Sequence, residues 1–202
     1  QTMNAGTAGV SGLIVMSTGS TSKGNVGSIR IGSSSAVSGG AGAISVKVGS
    51  GNFGSGGELL MSAGSTSAAT SGGYVRLFSG FGSKTSGGDI IFQTANGGTS
   101  GVSGSMILST GTGVAGSSGG VYIGSGGAVG GAGGAVTVTV GSGDTAIGGE
   151  LFLSAGSVGA SGNTGGKVTL MSGYGSATTS GDILMQTMNA GTAGVSGLIV
   201  MS

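Results

Sequence analysis

The residues best able to do chemistry are few, and each sits in a run of glycine and serine. Gly116-Ser117-Ser118-Gly119-Gly120 has the GxSxG spacing that presents a nucleophilic serine on a tight turn. Ser20-Thr21-Ser22-Lys23 has SxxK spacing, which would pair a serine with a lysine base. Gly82-Ser83-Lys84-Thr85 ends like a phosphate-binding loop, and Asp144 stands in a turn where a calcium-binding repeat would carry an aspartate.

None of these patterns is complete. The chain has no histidine and no cysteine, so Ser118 has no imidazole to activate it, and neither Ser-His-Asp and Cys-His constellations nor the common zinc sites can be assembled. The SxxK run lacks its companion motifs. Ser83 occupies the place where glycine must precede the lysine of a phosphate loop. Asp144 is the only turn aspartate, whereas a calcium-binding solenoid needs one in every repeat. An enzyme built on a repeat scaffold would need clustered carboxylates, and here Asp and Glu are scattered. The expectation is a chain that is not an enzyme, with no catalytic, cofactor-binding or metal-binding residue.

Composition narrows the class further. Of 202 residues 53 are glycine, none is proline or tryptophan, 5% are charged, and the net charge is +1. Such a charge leaves no footprint for nucleic acid or an anionic membrane surface. The hydrophobic fraction of 37% is too high and too regularly placed for a flexible linker. Collagen is excluded by the missing proline and the missing three-residue period. Apolar runs stop at four residues, as in Leu13-Ile14-Val15-Met16, so no membrane-spanning segment is expected, and no signal peptide is visible. Without cysteine there is no redox clue to the compartment.

The elements that must carry all this are repeats within repeats. A long period takes Gln1-Thr2-Met3-Asn4 to Gln93-Thr94-Ala95-Asn96 and on to Gln186-Thr187-Met188-Asn189, and residues 186–202 copy residues 1–17 without a change. The array therefore reads as a single domain over 1–202, with long repeats 1–92 and 93–185 and the start of a third at 186–202. Both ends fall inside the repeat, which suggests a segment of a longer polymer. A short period of fifteen to seventeen residues divides each long repeat into six strand units.

Counting from the first residue after each glycine turn, units begin at Leu13, Ser28, Ala43, Glu58, Tyr74 and Asp89, and again at Ser105, Gly120, Ala135, Glu150, Lys167 and Asp182. Position two is apolar in every copy, from Ile14 and Leu59 to Leu151 and Ile183. Position four is apolar as well, from Met16 and Met61 to Leu153 and Met185. Every charged residue avoids both places. Position six is always small, reading Thr18, Ser33, Val48, Ala63, Ser79, Thr94 and then Thr110, Ser125, Val140, Ala155, Ser172, Thr187. Alternation of this kind predicts a strand with one buried face.

A lone short strand cannot bury that face, so the units should stack into an all-β parallel β-solenoid with hydrogen bonds between coils. Glycine pairs such as Gly56-Gly57 and Gly148-Gly149 would form the corners. A six-unit coil would stack Glu150 on Glu58, a three-unit coil Arg76 on Arg30, and a two-unit coil Asp89 on Glu58, each a like-charge contact. One unit per coil, about 15–16 residues, avoids these. The alternative is a larger coil made of several 15-residue strand units, which the twice-read order at position six favours. Position three, apolar at Val15, Leu60, Ile91, Ile107, Phe152, Leu184 and Val200, would form a face that a neighbouring chain could cover. Val136-Thr137-Val138-Thr139-Val140 looks like an ice-binding ladder, but its threonines do not recur in neighbouring units. The sequence has no Asn-x-Ser/Thr sequon, while the many turn serines and threonines could carry O-linked glycan.

Ser103-Gly104-Ser105-Met106-Ile107-Leu108-Ser109-Thr110-Gly111 and Gly131-Ala132-Gly133-Gly134-Ala135-Val136-Thr137-Val138-Thr139-Val140-Gly141 resemble the Gly/Ser/Thr-rich tandem repeats of very large secreted cell-surface proteins. Those of microalgal extracellular filaments are the nearest in kind, and bacterial adhesins less so. The resemblance covers the whole chain, is compositional, and brings no catalytic residue with it. It implies an extracellular or cell-surface structural role. The expected function is thus a filament or fibre protein with a mechanical role, self-associating end to end and laterally. The alternative is a stalk or adhesin arm whose binding tip lies outside this segment.

Overall fold

The computed structural model describes all residues except 1, 3, 6–8, 146, 160–162 and 202. It divides into two units, Gln1–Thr94 and Ala95–Ser202.

The β-solenoid expectation is overturned. Among the described residues there is no helix and no β-strand, so neither the 15-residue coil nor a larger coil of several strand units is present. No described residue is buried, and every large apolar side chain among the described residues is exposed, from 38% at Val48 to 107% at Val129. The chain exposes 19789 Å², where a compact protein of its mass would expose about 8,000 Å². The aliphatic column expected from positions two and four does not form within one chain.

The short period is nevertheless written into the backbone. Bends begin at residues 22, 37, 52, 67, 83, 114, 129, 144 and 176, with tight turns at 99–100 and 192–193, and unbent segments run between them. These bends do not fall on the expected glycine-pair corners: Gly56-Gly57 follows the 52–55 bend and Gly148-Gly149 the 144–145 bend, and both pairs lie in unbent backbone. In the first unit the corner glycines Gly9, Gly24, Gly39 and Gly54 recur at fifteen-residue intervals with φ of 130°, 106°, 156° and 74°. Such angles are open to glycine and strained for residues with a side chain.

What closes each corner is a contact between the position-six side chain and the glycine that precedes the next segment. A Cβ on Gly57 would lie 2.6 Å from Cγ1 of Val48, and one on Gly149 would lie 2.5 Å from Cγ1 of Val140. The same register places Ala63 over Gly73, Ser125 over Gly134 and Ala155 over Gly166. A hydrogen bond follows one residue later: the N–H of Gly73 donates to the carbonyl of Gly64 at 2.9 Å, Gly88 to Gly80 at 2.9 Å, Gly166 to Gly156 at 2.8 Å and Gly181 to Gly173 at 3.0 Å. At the Gly134 corner the hydroxyl of Ser125 donates to the Gly134 carbonyl at 2.6 Å. Small residues at position six and glycine at the facing place are therefore one requirement, because either one enlarged would force the corner open.

These contacts stay within one loop and build no ladder between units. The corner bond joins glycines about one loop apart, so it closes the loop on itself and aligns no backbone beyond that point. With two aliphatic side chains in each fifteen-residue unit and glycine abundant between them, one chain gains too little burial to order a stacked ladder. Some sidedness survives. Position two is 45–64% exposed, position four 53–84%, and the apolar residues at position three 72–85%. Even positions thus share the sheltered side, with position six closest to the corner: Ala63, Thr94, Ala155 and Thr187 are only half-exposed.

Replacement of Gly166 by alanine should open its corner, since the new Cβ would meet the Gly156 nitrogen at 3.0 Å and Ala155 Cβ at 3.2 Å. Amide exchange at residue 166 should then accelerate by about fivefold, the loss of roughly one net hydrogen bond. Gly165→Ala, whose Cβ would have an ordinary 3.7 Å contact, should leave that rate unchanged.

Candidate functional surface

The sequence predicts no site residue, and two of the weighed motifs are held by local turn contacts. Thr21 Oγ1 donates to the Lys23 carbonyl at 2.8 Å and accepts from the Lys23 N–H at 3.3 Å, so Ser20-Thr21-Ser22-Lys23 is a hydroxyl-bridged turn with Lys23 exposed. Gly82 opens the 83–85 bend, and a Cβ there would meet the Ser86 and Thr85 carbonyls, so Gly82 serves the close approach of its own loop. Ser118 is exposed in the unbent run after the 114–116 bend, and Asp144 is exposed at a bend. Val136-Thr137-Val138-Thr139-Val140 is exposed throughout. Among the described residues no group of three or more Asp or Glu side chains is placed to hold a metal ion.

The surface that remains is apolar and regularly spaced. Positions two and four are the more sheltered on average and apolar position-three side chains the more exposed. One polar feature punctuates it. The Arg76 guanidinium carbon stands 5.1 Å from the centroid of the Tyr74 ring, a cation–π contact between positions one and three of one segment. That pairing was legible in principle, since residues two apart in a period-two segment share a side, but the sequence reading treated Tyr74 and Arg76 separately.

The comparisons give no relative. No protein-family model matches the chain, and no curated protein or solved structure is significantly similar to it. Among the described residues, no helix is long and apolar enough to cross a membrane.

The Tyr74–Arg76 contact has a direct readout. In Arg76→Met the ring-proton resonances of Tyr74 should move while those of Tyr122 and Tyr174 stay in place. Equal movement of all three, or of none, would show that the contact is not held in solution.

Proposed function

We propose that this chain is a structural fibre protein of the extracellular space or cell surface, with a mechanical role and no catalysis, which acts by associating with copies of itself. The observation that carries the reading is a 37% hydrophobic sequence in which no described residue is buried. Soluble monomers rarely leave contiguous apolar surface beyond a few hundred Å² uncovered. A chain with apolar side chains at positions two and four of every unit, repeated along its length, has its apolar groups placed for cover by other chains. A net charge of +1 offers little electrostatic resistance to that association. Unpaired backbone N–H and C=O groups along the unbent segments add a second drive, since they too find partners when copies lie alongside one another.

Lateral and end-to-end association of copies belongs to this reading, as does O-linked glycan on exposed turn residues such as Ser22, Thr85 and Thr178. The location rests on the compositional resemblance to secreted tandem-repeat proteins. The absence of histidine and cysteine supports a non-catalytic role.

Sedimentation and electron microscopy of the purified chain test the proposal. Fibres are expected to appear above a threshold concentration, and a chain that stayed monodisperse up to about 1 mM would overturn it. Leu153→Asp should raise the threshold more than tenfold, the effect of withholding about 2 kcal/mol of aliphatic burial. Because Leu153 is 73% exposed in the single chain, that substitution leaves the isolated molecule's own structure intact. Ser154→Asp, one residue on and on the opposite side, should change the threshold far less.

A further inference from the structure

The two long repeats are both apolar at positions two and four throughout but differ in their cations. Residues 1–92 carry Lys23, Arg30, Lys47, Arg76 and Lys84, and the matching residues of 93–185 are Ala115, Tyr122, Thr139, Thr169 and Ala177. The one cation of the second repeat, Lys167, matches Tyr74 of the first. The strand-unit carboxylates do not differ: Glu58 matches Glu150 and Asp89 matches Asp182. The first repeat thus holds five cations against two carboxylates, and the second one cation against three.

We infer that the copy lying alongside this chain, paired with it through the open backbone groups of the unbent segments, is shifted by one long repeat, so that residues 1–92 of one copy lie in register against residues 93–185 of the next. This inference rests on the fibre reading above and names its register. Unshifted copies would set each of the five cations of the first repeat against itself. Shifted by one long repeat, no cation faces a cation. Arg30 then meets the Tyr122 ring, and Lys167 meets the ring of Tyr74, whose Arg76 contact already shows that this ring accepts a cation. The carboxylate pairs face each other in either register and do not discriminate between them. Tyr74 and Tyr122 are 75% and 95% exposed in the single chain, so both rings are open to the partner. A contact of the first repeat on the second is heterologous and does not close, so it favours staggered growth over a closed dimer.

The natural chain has no cysteine, which makes disulfide trapping a clean test of register. Ser45 and Thr137 are exposed and occupy matching places at position three of the two repeats, and in-register neighbours lie about 4.8 Å apart, within disulfide reach. Fibres would be grown from Ser45→Cys alone, from Thr137→Cys alone and from an equal mixture, then oxidised and run under denaturing, non-reducing conditions. The mixture should give about fivefold more covalent dimer than either variant alone, the preference expected when like-charge facing pairs are removed. Equal dimer from Ser45→Cys alone and from the mixture would overturn the shifted register while leaving the fibre reading in place. Failure of all three to sediment, with the unmodified chain failing too, would overturn both.

Discussion

Every corner of this chain depends on a small side chain seated against a glycine. Val48 against Gly57 and Val140 against Gly149 are the tightest cases, with no room for even one added carbon. The contact sets two residue types at once, and that explains why position six never exceeds valine in size while glycine recurs at the facing place. It also fixes the length of the repeat, because the loop between the two partners must bend and return. The hydrogen bond from Gly166 to Gly156 and its counterparts complete the closure. Local closure of this kind needs no partner from another part of the chain, so it forms without a core.

That independence also accounts for the difference between the expected coil and the observed chain. Period-two alternation at positions two and four was read as a buried face, and the inference from face to stack assumed that one chain supplies both sides. The alternation is real in the structure, since Ile90 and Ile183 at position two are more sheltered than Ile91 and Leu184 at position three. What the pattern does not contain is the identity of the covering surface. Apolar periodicity states that a side will be buried somewhere; it does not distinguish burial against the next unit from burial against another molecule. The bends recur at the spacing of the repeat, but they fall a few residues before the glycine pairs expected to form them, as at 52–55 before Gly56-Gly57.

The incomplete motifs sit in turns that their neighbours build: Thr21 bridges the Lys23 backbone, and the Thr85 and Ser86 carbonyls take the space beside Gly82. The Tyr74–Arg76 contact was not extracted, although both residues had been assigned to one segment. It lies on the less regular side, where the reading sought aliphatic pattern and passed over polar pairs. Weak exposed contacts of this type leave little trace in composition, and side-chain geometry is needed to find them.

A chain of near-identical repeats faces a particular difficulty in associating with itself: many registers bury the same apolar area, so burial alone cannot choose among them. The choice has to come from the few residues that break the repeat. Here those are the cations, five in residues 1–92 whose matching places in residues 93–185 are all uncharged. Their energetic weight is small beside the aliphatic faces, yet it is the part of the energy that changes with register. Hydrophobic positions would then supply the strength of association, and sparse charged and aromatic positions its alignment. A sequence of 5% charged residues is enough for that division of labour, provided the charges fall at places where the two repeats differ.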